Sequence, residues 1–259
     1  MRILFIIRKW NNSDNLKKII AKDESLDMAL FLKLKSKFFL MSTNAIGSKR
    51  ALTSRLHAKK STILEGTSLH VIVVTIQCMH SCSYCQVSRQ QEGDGFTISR
   101  EDLLLACDTI FESTSDTLTV EFQGGDPLIK YDLVKLAIEY ITEKNKVHNR
   151  SIRFVVTTTL HQLTSEMCLF FKEHQVVLST SIDGLVDLHN KNRPTANRDA
   201  YERTITGLEL ARKELGLDSV SALMTTTRKS LDYPNEIVDA YVQLGFKDIF
   251  IRGLSDFGF

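Results

Sequence analysis

From Val71 onward the sequence alternates runs rich in Val, Ile, Thr and Phe with amphipathic segments, and this alternation constrains the fold more than any other feature. Six runs have strand length: 71–77, 118–123, 152–158, 176–182, 220–226 and 248–252. Five helical patterns separate them, at 101–112 behind the cap candidate Ser99, 133–144, 165–174, 200–215 and 236–244. Strand, helix, strand in repetition implies βα units on a parallel sheet. Leu103, Leu104, Cys107 and Phe111 fall on one helical face, as a stripe turned to a core does. Periodicity suits a doubly wound open sheet and a partial barrel equally well. No helical pattern follows the sixth run before Phe259, so a packing layer is missing there. A core cut short at its C-terminal end is expected, with the last strand poorly covered and prone to self-association.

Residues 1 to 70 read differently. They carry 14 Lys/Arg against 5 Asp/Glu, whereas residues 71 to 259 carry 19 against 26, an asymmetry hidden in the net charge of +2. The expectation is a basic N-terminal appendage over 1–66, ahead of a core domain over 67–259. A strand or short helix is expected within 30–41, and a polar, basic and solvated stretch over 42–65. Nucleic acid is not expected as its partner, because no aromatic side chains interleave the basic ones over 42–60. With 43% hydrophobic and 25% charged residues, the chain has the composition of a protein with a substantial core. No run approaches the length of a membrane span, and the apolar start at 3–7 lacks a signal-peptide cleavage pattern. A cytoplasmic protein without membrane attachment is expected.

Five cysteines do not suggest a disulfide framework, since the count is odd and three of them crowd into eight residues. Cys78, Cys82 and Cys85 form C-x3-C-x2-C in the loop after the first strand, where α/β folds place ligand sites. Three thiolates can hold three irons of a [4Fe-4S] cluster and leave the fourth open. A structural zinc with His80 or His70 as fourth ligand is the competing use, in a non-catalytic binding module. Its usual paired C-x2-C knuckles are absent. Cys107 and Cys168 lie singly within helical patterns and read as small buried hydrophobes.

The segment Cys78-Met79-His80-Ser81-Cys82-Ser83-Tyr84-Cys85, with an aromatic residue before the third cysteine, resembles the cluster loop of the radical S-adenosylmethionine (radical SAM) superfamily. Gly124-Gly125-Asp126-Pro127 after the second strand is similar to that family's Gly-Gly-Glu-Pro motif. Ser181-Ile182-Asp183-Gly184, His189 and Arg193-Pro194 after the fourth resemble the signature of its peptide- and protein-modifying branch. The wording is most like the maturases of His-Xaa-Ser systems. The resemblance implies a partial (β/α)6 barrel carrying a [4Fe-4S] cluster and S-adenosylmethionine (SAM), with Cys78, Cys82 and Cys85 on the metal. Tyr84, Gly124, Gly125, Asp126, Ser181 and Arg193 are implied around SAM, with Arg198 the competitor of Arg193. It also implies an external flavodoxin- or ferredoxin-like electron donor and a small peptide or protein substrate. An RNA-modifying member of the superfamily is the alternative. Asp126 stands where the family usually has Glu. Gly124 and Gly125 are expected to let backbone approach the ligand, and Asp183 and His189 to hold their own loop together.

Overall fold

In the computed structural model the described residues are 28–37, 46–64, 66–87, 89–90 and 96–254. The chain divides into two units, Met1–Leu64 and Glu65–Phe259. In the first, α1 spans Met28–Ser36 and α2 spans Ile46–Leu64. The element expected within 30–41 is thus a helix up to Ser36, and residues 38–41 lie outside the described set. The basic stretch at 42–65 holds a 19-residue helix, because its Ala, Leu, Lys and Arg are good helix formers.

The second unit runs β1 (Leu69–Thr75), α3 (Arg100–Ile110), β2 (Thr117–Gly124), α4 (Tyr131–His148), β3 (Ser151–Thr157), α5 (Ser165–Glu173) and β4 (Val177–Ser181). It continues with α6 (Val186–Asn192), α7 (Ala200–Leu215), β5 (Val220–Thr225), α8 (Pro234–Gln243) and β6 (Phe250–Arg252). The strands pair in the order β1-β2-β3-β4-β5-β6, every pair parallel. Among the described strands β1 pairs with β2 and β6 with β5, and the two outer strands do not pair with each other, so the sheet does not close. This is the layout of the expected partial (β/α)6 barrel. No described helix is long and apolar enough to cross a membrane.

One face of each strand from β1 to β5 builds the core. Ile72 and Val74, Val120 and Phe122, Phe154 and Val156, Leu178, and Ala222 with Met224 alternate into a helical layer. That layer supplies Leu103, Cys107 and Ile110 from α3, Val134, Ile138 and Ile141 from α4, Phe171 from α5, Leu208 from α7 and Ile237 from α8. Leu104, expected on the core stripe of α3, is only half-buried. On the other face β1 leaves Leu69, Val71 and Val73 exposed.

Three elements depart from expectation. α6 has seven residues, under two turns, and so gives periodicity too little length to register. β6 is three residues long rather than five, and every residue in it is exposed. β1 starts and ends two residues earlier than its apolar run. From Ile76 the backbone leaves β2 and pairs elsewhere, with Ile76 N donating to Phe96 O (3.0 Å) and Cys78 N to Gln90 O (3.0 Å).

Candidate functional site

The cysteine loop is fixed by backbone bonds as well as by its own side chains. Ser81 N donates to Pro194 O (2.8 Å) and Ser83 N to Asn192 O (3.1 Å), so the segment after β4 carries the loop after β1. Cys78, Cys82 and Cys85 line one cavity of about 290 Å³ at the C-terminal ends of the strands. Burial pushes the Cys78 thiol up to about 12, with the Asp126 carboxylate acting the same way. Burial raises Cys82 too, against the pull of the Arg193 cation. These thiols stay protonated until a metal displaces the proton. Among the described residues, no three His, Cys, Asp or Glu side chains are gathered as around a single ion, so the cysteines share a cavity without meeting at a point. Cys107 and Cys168 are buried on α3 and α5, away from the cavity, and burial lifts them to about 12 and about 11.

Gly124 and Gly125 also line the cavity, but the need for glycine comes from the opposite side. A Cβ on Gly125 would lie 2.1 Å from the backbone oxygen of Gln77, and one on Gly124, at φ +129°, 2.1 Å from that of Thr75. Backbone at the end of β1 and just beyond it occupies that space, where Gly125 N donates to Thr75 O (2.7 Å) and Asp126 N to Gln77 O (2.7 Å). The glycines therefore also seat the root of the cysteine loop, beside the ligand-approach role expected of them.

Asp126 is not among the cavity residues, although the resemblance places it on SAM. It is 2% exposed, and its oxygens accept from Leu128 N (3.2 Å), Thr158 Oγ1 (2.7 Å), Thr159 N (3.2 Å) and Thr159 Oγ1 (2.5 Å). It is the N-cap of the 3-10 turn Pro127–Lys130, which Pro127 opens. The hydroxyls across the sheet hold the carboxylate in place. The threonines at 157, 158 and 159 do line the cavity.

After β4, Ser181 and Arg193 line the cavity, while Arg198 is exposed and outside it. Arg193 Nε donates to Asp183 Oδ1 (3.2 Å), its guanidinium lies 5.2 Å from the centre of the Tyr84 ring, and Nη1 is 4.0 Å from Cys82 Sγ. Asp183, fully buried, also accepts from Tyr84 Oη (2.5 Å) and Asn192 Nδ2 (3.0 Å). Burial opposes the Arg193 charge, but Asp183, Tyr84 and Cys82 outweigh it, and its pKa rises. Burial, with Asp183 adding to it, pushes the Tyr84 phenol well above its ordinary range. Asp183 and His189 hold the loop as expected, since Asp183 N donates to His189 Nδ1 (3.3 Å).

His80, in the cysteine loop and on the cavity, belongs to a histidine cluster that no sequence pattern announces. His80 Nε2 is 3.1 Å from His161 Nε2, and His161 Nε2 is 3.2 Å from both Ala200 O and Thr204 Oγ1. Burial holds His80 down to about 2 and His189 to about 3, so both are neutral. Gln123, Leu223, Thr225 and Arg252 also line the cavity, and Arg252 donates to Gln86 Oε1 in the cysteine loop. Their place at strand ends was the only signal available.

Residues 72–242 match the Radical SAM superfamily, and the chain belongs to it. The chain is 23% identical over 179 residues to the cysteine-type anaerobic sulfatase-maturating enzyme of Clostridium novyi, covering 65% of this chain and 47% of that protein. Its fold is similar to native anSMEcpe with bound AdoMet (TM-score 0.64, 19% identity, 73% of this chain and 51% of the other). It is similar also to Streptococcus suis SuiB bound to precursor peptide SuiA (TM-score 0.55, 16% identity, 96% and 53%). The chain spans less than two thirds of the length of the curated relatives it matches. The superfamily's cofactors are a [4Fe-4S] cluster and SAM, and the donors here fit the pair, with three thiols and a buried guanidinium on one cavity.

Proposed function

We infer that this chain is the core of a radical SAM maturase that modifies a peptide or protein, of the kind that serves His-Xaa-Ser systems. The observation that carries the reading is the meeting of Cys78, Cys82 and Cys85 with Gly124, Gly125, Ser181 and Arg193 on one cavity. In this reading the three thiolates hold the cluster, Ser181 and the free end of Arg193 bind the SAM carboxylate, and the Gly124–Gly125 backbone faces its amino group. Asp126 acts on SAM only through the turn it caps. When bound, the cofactor pair supplies a carbon-centred radical that removes a hydrogen atom from the substrate. The chain's own residues orient the pair and keep water out. The electron comes from an external flavodoxin- or ferredoxin-like donor. Thiolate chemistry of this kind suits the reducing cytoplasm. Residues 1–66 are assigned as a basic appendage and 67–259 as the catalytic core.

The peptide assignment rests on the named activity of the C. novyi relative and on SuiB with its precursor peptide. It is tested by co-expressing the protein anaerobically with a short protein carrying His-x-Ser repeats from a neighbouring reading frame. A mass change in that protein, lost in Cys82→Ala, is expected. An unmodified substrate beside active SAM cleavage would overturn the peptide assignment and leave the superfamily chemistry standing.

A further inference from the structure

We propose that Arg193 also acts on the metal centre itself, as a positioning residue that makes it easier to reduce by donating from Nη1 to the Cys82 sulfur. The inference deepens the cluster reading and rests on it. Arg193 is 8% exposed, and its Nη1 is the side-chain donor found at Cys82 Sγ, at 4.0 Å. Its aim is fixed from three sides. Asp183 takes Nε at 3.2 Å, the Tyr84 ring lies under the guanidinium at 5.2 Å, and Arg193 N is tied to His189 O at 2.8 Å.

A plain buried ion pair does not account for this arrangement. Asp183 already accepts from Tyr84 Oη and Asn192 Nδ2, so its lone pairs are partly met without the arginine. The cation is placed between this shared carboxylate and a sulfur on the cavity, and Nη2 keeps no partner among the described residues. One guanidinium can thus serve the thiolate through Nη1 and a SAM carboxylate through Nη2.

The electrical consequence follows from charge. Reduction adds one electron from a low-potential one-electron donor, [4Fe-4S]²⁺ becoming [4Fe-4S]⁺, with no proton taken up and no bond broken. The added negative charge spreads over iron and sulfur. A fixed cation and an N–H donor at a ligating sulfur stabilise the reduced form more than the oxidised one. Asp183 works in the opposite sense, by offsetting that cation.

The test is the midpoint potential of the anaerobically reconstituted full chain, followed by electron paramagnetic resonance during titration with dithionite, with SAM left out. Arg193→Gln is expected to shift the potential to more negative values, and Asp183→Asn to more positive values. Arg193→Lys, which keeps charge but loses the fork, should fall between wild type and Arg193→Gln. A merely structural role would move the Arg193→Gln and Asp183→Asn potentials the same way. If Arg193→Gln does not load iron, the opposed signs of Asp183→Asn and Arg193→Lys decide. Potentials unchanged in variants holding about four irons would overturn the proposal and leave the cluster reading intact. Wild-type protein that binds no iron would take both down.

Discussion

Asp126 and Asp183 follow β2 and β4, each inside a motif and each buried, at 2% and 0% exposed. They nevertheless do different work. Asp126 is met by a backbone amide of its own turn and by hydroxyls and an amide beyond β3, all neutral donors. Asp183 is met by the Arg193 cation as well as by Tyr84 and Asn192. The first therefore fixes the shape of the site, while the second fixes a charge within it. A carboxylate beside a glycine in a motif does not declare which role it has; its partners across the fold do.

The largest effect is expected from removal of each carboxylate. Asp183→Ala leaves Arg193 a buried cation without its counter-ion and should cost about 3–5 kcal/mol. Asp126→Ala leaves neutral donors unmet and should cost about 1–3 kcal/mol. Urea denaturation of the unloaded protein measures both. An Asp126→Ala cost equal to or above that of Asp183→Ala would remove the distinction.

The glycines beside the two aspartates sharpen it. A Cβ on Gly125 meets backbone of Gln77, next to Cys78, whereas one on Gly184 meets the Ile237 side chain at 2.7 Å. Gly125→Ala should reduce iron uptake at least several-fold. Gly184→Ala, at φ +98°, should cost stability at the contact with α8 and keep the iron. Iron analysis after reconstitution checks both, and equal iron loss would count against the assignment of Gly125 to the cysteine loop.

A smaller effect concerns His189, which accepts from Asp183 N and which burial holds down to about 3. Between pH 6.5, where a free imidazole titrates, and about 3, the unfolded chain binds this proton and the folded chain does not. Stability must therefore fall as pH falls through that window, by about 1.4 kcal/mol per pH unit for this one group. His189→Gln should flatten the pH profile of the unfolding midpoint. A wild-type profile rising toward pH 4 would contradict the neutral buried state.

The readable part of the molecule was the part whose chemistry lies in residue type and local order. The six strands and the helix Ala200–Leu215 emerged because their patterns run long enough to register, and the cysteine spacing because soft ligands in one loop have few other uses. Seven-residue α6 was too short for periodicity. The partners that hold the Asp126 carboxylate, Thr158 and Thr159, lie more than thirty residues away on another strand end, and no local pattern announces them. Arg193 was picked for its side chain alone. Its contact with Cys82 spans 111 residues, and only the folded sheet brings the two loops together.

The proposed function requires the three cysteines to hold a cluster whose open iron takes SAM. The direct measurement is the electron paramagnetic resonance spectrum of the reduced, anaerobically reconstituted protein before and after addition of SAM. A spectrum that changes with SAM in the wild type, and that is absent in Cys78→Ala, Cys82→Ala and Cys85→Ala but kept in Cys107→Ala and Cys168→Ala, is the predicted result. A cluster signal indifferent to SAM, or one that survives loss of Cys82, would contradict it.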